Sequence, residues 1–213
     1  MTVILKSHKL FYASVPKVAC SSIKRAFYEI EYGKPFEGAF NGKDKRSIHQ
    51  IYPGELRQNY PDAEIADFRR LTLVRDPIAR FLSAYSNRVA HRRQLSEDAV
   101  KKAGWLKRLK PHPDLHEFVD RFEKYLAVPD VHNHCRPMVD RLGSDAGYFH
   151  AIYDISQMDA FLQDVSNVVG RKVEAGRFQT GGPKLKRDDL TAKQIAKLER
   201  FYKDDYAAFG SYC

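Results

Sequence analysis

The sequence predicts an α/β fold, and three passages in which a strand pattern runs into a helix pattern predict it. The first is Leu10-Phe11-Tyr12-Ala13-Ser14-Val15, an apolar run of strand length. It is followed by a short turn and by Ile23, Ala26, Phe27 and Ile30 at helical spacing. The second is Phe68 to Val74, a buried-strand pattern ending at Arg75, after which Asp76-Pro77 opens a helix. The third is Tyr148 to Ile155, followed by Phe161, Leu162, Val165, Val168 and Val169. A chain of 213 residues suits one well-packed domain, residues 1–213, without a second.

The stretch Pro16 to Lys24 organises the first passage. A strand, a tight turn and a helix start aim the unpaired N–H groups of a first helical turn at one point, where the helix dipole is positive. Such a point binds phosphate or sulfate. Lys17 adds a charge, and Ser21 and Ser22 add hydroxyl donors. The pattern is not G-x-x-x-x-G-K-[ST]: no glycine lies between Met1 and Tyr32, and Val18 follows the lysine where a magnesium-binding hydroxyl would stand. The plain alternative is an ordinary strand–helix turn capped by a serine.

Around that stretch, Gly33 to Lys45 reads as a loop, and Ser47 to Tyr52 as a short strand or turn closed by Pro53-Gly54. Glu55 to Tyr60 reads as a helical turn. In the helix after Asp76-Pro77, Ile78, Phe81, Leu82, Tyr85 and Val89 form the core stripe, while Arg80, Ser83 and Asn87 share another face. If the strands lie side by side in a parallel sheet, Arg75 and Ser83 meet a second anionic group at the strand ends. A surface arginine and an exposed serine are the plain alternative. Arg88 to Lys110 is strongly basic and includes Trp105; it reads as a solvated helix face or an acidic-ligand surface.

Leu115 to Leu126 reads as one amphipathic helix stopping before Pro129. His132, His134 and Cys135 follow, but their spacing lacks a matching ligand pair, so no metal is expected. Ser156 is the expected cap of the third helix, with Gly170 ending it. Gly176 to Lys186, with Arg177 and Lys184, reads as a mobile basic loop able to clamp an anion. Thr191 and Gln194 form a capping box for a last helix with Ile195, Leu198, Phe201 and Tyr202 on its apolar side.

Composition bounds the partners. A formal net charge of +9 favours anionic ones: nucleotides, acidic glycans, nucleic acid or an anionic surface. Three scattered cysteines form no disulfide framework, pointing to a reducing compartment. The N-terminal apolar run is too short for a signal peptide or a membrane span, so a cytoplasmic location is expected.

These motifs together resemble the sulfotransferases that use 3′-phosphoadenosine 5′-phosphosulfate (PAPS), in particular the carbohydrate, Golgi-type branch. Pro16 to Arg25 resembles the loop that binds the 5′-phosphosulfate. Val74 to Tyr85 resembles the 3′-phosphate motif, with Arg75 and Ser83 eight positions apart. His134-Cys135-Arg136-Pro137 is similar to a His-Trp-Arg-Pro segment, with cysteine in place of tryptophan, and Leu190 to Gly210 resembles the C-terminal helix. The resemblance implies a P-loop nucleotide-kinase-like, three-layer α/β fold with a central parallel sheet flanked by helices. It implies PAPS as co-substrate, bound by Lys17, Val18, Ala19, Cys20, Ser21, Ser22, Ile23, Arg75 and Ser83, and no metal requirement; Arg177 and Lys184 of the basic loop are candidate further contacts.

Lys17 would stabilise the leaving phosphate oxygen. A base would take the acceptor's proton, and His49 is the choice, with Glu55 and Glu64 as alternatives. His134 and Arg136 are candidate acceptor contacts. The acceptor is expected to be a carbohydrate, in particular an acidic glycan, rather than nucleic acid. A phosphoryl-transferring kinase and a basic nucleic-acid-binding domain are the rival readings; the first lacks the Walker glycines and the second any docking motif.

Overall fold

A computed structural model describes residues 2–41, 44–103, 109–176 and 181–213. In chain order, the elements used below are strands β1 (Thr2–Leu5) and β2 (Leu10–Ala13), helices α1 (Cys20–Tyr32) and α2 (Ile48–Ile51), and strand β3 (Arg69–Val74). Helices α3 (Pro77–Ala84) and α4 (Pro129–Cys135), strand β4 (Ala151–Asp154), and helices α5 (Met158–Val169) and α6 (Ala192–Phe201) follow. The chain divides into two compact units: Met1–Arg75 with Met138–Gln179 and Ala207–Cys213, and Asp76–Pro137 with Thr180–Tyr206. Among the described residues no helix is long and apolar enough to cross a membrane.

The first unit holds a four-stranded sheet in the order β1-β2-β3-β4. The pairs β2–β3 and β3–β4 are parallel, as expected, but β1 pairs antiparallel with β2. The reason is covalent: one turn of 3-10 helix, closed by Lys9 with a left-handed φ of 47°, joins them, and so short a link allows only a hairpin. The brief apolar run after Met1 is therefore an edge strand. All four residues of β2 are buried, which is why its sequence is continuously apolar rather than alternating. Phe27 of α1 stacks on Tyr12 of β2 at 5.4 Å, and Phe161 of α5 reaches the same tyrosine at 5.5 Å. Gly170 ends α5 with φ 72°, the left-handed turn that an L side chain resists.

Two local expectations are corrected in this unit. Residues 48–51 are not a strand but the single helical turn α2, because the Gln50 side chain folds back to accept the Ser47 N–H at 2.8 Å. The third helix is not capped by Ser156; instead Asp154 accepts the Ser156 N–H at 2.8 Å and starts a 3-10 turn that leads into α5.

The second unit is helical. In α3, Asp76 accepts the Ala79 N–H at 2.7 Å with Pro77 at the first position, as the sequence predicts. Ile78, Phe81, Leu82, Tyr85 and Val89 are all buried in its core. The other face differs from expectation: Arg80 and Asn87 are buried as well, and Ser83 is half-buried. Past Ala84 the helix widens into a π-helical segment, Tyr85–His91, which no residue pattern announced. The expected helix over 115–126 is broken at Arg121 into two short ones, Leu115–Asp120 and Phe122–Tyr125. The Thr191–Gln194 capping box of α6 forms as expected.

Candidate functional site

In the first unit the loop between β2 and α1 carries an unusual backbone. Lys17 and Ala19 both have positive φ, 69° and 49°. Val18, between them, is fully buried and plugs the loop into the core. Alternating backbone handedness of this kind turns successive N–H groups towards one side. No capping serine is present: the N-cap of α1 is Ala19, in the left-handed region, without a side-chain hydrogen bond to the first turn. A helix start that uses no side-chain oxygen of its own keeps its positive end for an outside anion.

Three further groups surround this loop. Arg75, at the end of β3, donates from Nη1 to the Lys17 carbonyl at 3.4 Å. The parallel pairing of β2 and β3 brings the two strand ends together. The Ser21 hydroxyl lies 2.7 Å from His49 Nε2, which α2 holds against α1. The far side of the same ring, Nδ1, is 3.3 Å from Lys24 Nζ, and that ammonium also donates to the Tyr52 carbonyl at 3.2 Å. Lys24 is fully buried. Burial pushes it down to about 7; the Cys20 thiol opposes this and the Arg141 guanidinium adds to it.

Of the other base candidates, Glu64 forms an ion pair with Lys6 at 2.7 Å, and the Glu55 carboxylate accepts from Asn59 at 3.3 Å. Among the described residues, His49 is the one of the three that is hydrogen-bonded to a loop serine. Lys24 is the residue that sequence reasoning missed. It lies inside the Pro16–Arg25 stretch, one place after Ile23 and three after Ser21, a spacing that puts Ser21 and Lys24 on adjoining turns.

The second unit holds Ser83, His134, Arg136 and Lys184. Arg80 anchors the His134–Arg136 segment: its guanidinium donates to the His134 carbonyl at 3.1 Å and to the Arg136 carbonyl at 2.7 Å. Asp205 lies 3.9 Å away, and the Tyr202 ring 5.4 Å beneath the cation. Tyr202 in turn donates to the Cys135 carbonyl at 2.5 Å. These are the orphan carbonyls at the end of α4, where a buried cation is favourable. His134 donates its Nδ1–H to the Asp130 carbonyl at 2.7 Å, and His132 Nε2 accepts from Arg136 at 2.9 Å. Each of the two histidines thus has one ring nitrogen engaged in a hydrogen bond that sets its tautomer.

Lys184 is exposed. The described part of its loop is pinned rather than loose: Ser86 donates to the Pro183 carbonyl at 2.7 Å, and a Cβ on Gly181 would come within 2.8 Å of the His91 ring. Arg177, Trp105, Lys107 and Arg108 lie outside the described residues.

Carbohydrate sulfotransferase 14 of Danio rerio is 27% identical over 66% of this chain and 45% of its own. Carbohydrate sulfotransferase 11 of Danio rerio is 23% identical over 97% of this chain and 66% of its own. The chain thus spans about half to two thirds of the length of these relatives. No solved structure matches it significantly. The model described as "Sulfotransferase family" matches residues 1–212, and the chain belongs to that family.

Proposed function

We propose that this protein is an enzyme that transfers the sulfuryl group of PAPS to a hydroxyl of a carbohydrate acceptor, and that residues 1–213 form one sulfotransferase domain of P-loop nucleotide-kinase-like type. The acceptor oxygen attacks sulfur in line with the bond to the 5′-phosphate. That bond breaks, and its electron pair passes to the phosphate oxygen of the departing nucleotide. Charge grows on that oxygen, so preorganised donors aimed at it supply the main catalytic effect. Lys17, the Ser21 and Ser22 hydroxyls and the N–H groups from Val18 to Ile23 are those donors. His49 takes the acceptor's proton. By motif, Arg75 and Ser83 select the 3′-phosphate. Arg177 and Lys184 are further nucleotide contacts, His134 and Arg136 acceptor contacts, and the net charge of +9 favours an acidic glycan.

The observation that carries this reading is the bond between Ser21 of the anion loop and His49 at 2.7 Å. It couples an anion-gripping turn to a group able to accept a proton near neutral pH.

Calorimetry with 3′-phosphoadenosine 5′-phosphate, AMP, ADP and ATP–magnesium tests the donor. Tight binding is expected only for the 3′-phosphorylated nucleotide, and Arg75→Ala is expected to erase the preference. Equal binding of AMP and the bisphosphate would overturn the assignment. With labelled PAPS and a glycan panel, His49→Ala should lower turnover by about 10²–10⁴ while leaving nucleotide affinity nearly intact.

A further inference from the structure

A lysine with no exposure at all, set against an imidazole, is an expensive arrangement. It demands a reason. Ser21, His49 and Lys24 lie on one line of hydrogen bonds: Ser21 Oγ to His49 Nε2 at 2.7 Å, and His49 Nδ1 to Lys24 Nζ at 3.3 Å. Each end of a neutral imidazole has one role, donor on one nitrogen and acceptor on the other. Whatever fixes Nδ1 therefore fixes Nε2.

We propose that Lys24 is a positioning residue that sets the direction of this line, and so decides whether His49 Nε2 donates to Ser21 or accepts a proton from its side. Its catalytic consequence rests on reading His49 as the base; the direction of the line does not. When Lys24 is an ammonium it can only donate. Nδ1 then accepts, Nε2 carries the proton and donates to Ser21, and the Ser21 O–H is released to point at a bound anion. When Lys24 is an amine its lone pair accepts the Nδ1–H. Nε2 is then bare and basic, and Ser21 donates to it.

The same three groups thus alternate between an anion-gripping state and a proton-accepting state. In the second, a proton arriving at Nε2 makes an imidazolium whose Nδ1–H is already donated to the Lys24 nitrogen. The charge is shared along the line, and Lys24 remains tied to the Tyr52 carbonyl.

The groups that face Lys24 are consistent with a charge that changes near neutrality. Cys20 belongs to its own helix, His49 and the Tyr52 carbonyl come from α2 and its end, and Arg141 from the Val139–Leu142 turn. Burial lowers the ammonium's pKa to about 7, with Arg141 in the same direction and Cys20 against. Two positive charges at 3.3 Å in a buried site are mutually exclusive, so protonation of one partner is read by the other.

The test is a ¹⁵N NMR titration of histidine-labelled, nucleotide-free protein from about pH 5 to 9, with His49 assigned by its loss in His49→Gln. The expected result is an exchange of protonated character between Nδ1 and Nε2 centred near 7, absent in Lys24→Met. Lys24→Gln serves if the methionine variant does not fold, and the wild-type titration needs no variant. A single tautomer throughout the range, or the same inversion in the Lys24 variant, would overturn the proposal. In turnover, Lys24→Met should lower kcat by about 10–100-fold and leave KM for the nucleotide close to wild type. The two readings fail separately: near-normal turnover in His49→Ala removes the base and leaves the inversion standing. A fixed tautomer beside an inactive His49→Ala removes the role of Lys24 and leaves the base.

Discussion

Among the described residues each compact unit contains one fully buried cation, and the two are held in different ways. Arg80, in the helical unit, has two backbone carbonyls, a buried carboxylate and a tyrosine face around it. Lys24, in the sheet unit, donates to the Tyr52 carbonyl and lies against the His49 imidazole. A guanidinium keeps its charge in any protein environment, and its planar fork can bind two carbonyls at once. An ammonium sheds its proton when burial is not offset, and Lys24 is pushed to about 7 accordingly. The difference separates a group that holds the chain together from a group that can move a proton.

The contrast is broken most directly at Arg80. Arg80→Met removes the donor to the His134 and Arg136 carbonyls and leaves Asp205 buried beside a thioether. Losing one partner of a buried charged cluster costs about 3–5 kcal/mol, so the urea midpoint should fall steeply. A midpoint within experimental error of wild type would show that Arg80 is no anchor. Next in size is Gly182→Ala. Gly182 has φ 92°, and an added Cβ would run into the Ser86 backbone carbonyl, where the chain is already tied by the Ser86–Pro183 bond. Strain and overpacking together should cost about 2–3 kcal/mol in denaturant unfolding. A neutral substitution would mean the loop shifts freely and the original expectation of mobility was right.

These two sites also mark what the sequence made legible. Residues whose role is local were read from it: the Asp76-Pro77 helix start, the core stripe of α3, the Thr191–Gln194 box and Gly170 all depend on neighbours within a turn. The strand–turn–helix order around the loop lysine and serines was legible in the same way. Arg80 was left off the core stripe because its partners, His134, Arg136 and Asp205, stand 54 to 125 positions away and only folding brings them near. Lys24 was passed over for the same reason: its meaning comes from His49 and Tyr52, across 25 and 28 positions. Ser47 to Tyr52 read as a short strand or turn, and a capping side chain decided for one turn of helix. Helical period is visible in a window of residues, whereas burial of a charge is not.

The last effect is a slope with pH rather than a single step, and it comes from Lys24. The folded-state value lies near 7, below the ordinary 10.5 of the unfolded chain. Between those two values the unfolded chain holds a proton that the folded protein has released, so unfolding takes up a proton and stability rises with pH. Below about 7 both states are protonated and the full cost of burying the charge is felt; above 10.5 neither is, and the slope ends. Lys24→Met has nothing to titrate. Urea unfolding of both proteins on the alkaline side of neutrality should therefore give wild type an additional stability slope of about 1 kcal/mol per pH unit over the variant. The variant should be the more stable of the two at the acidic end, where the wild type carries a desolvated ammonium. Parallel curves would mean Lys24 keeps its ordinary charge inside the protein, as Arg80 does, and the two buried cations would then differ in their partners alone.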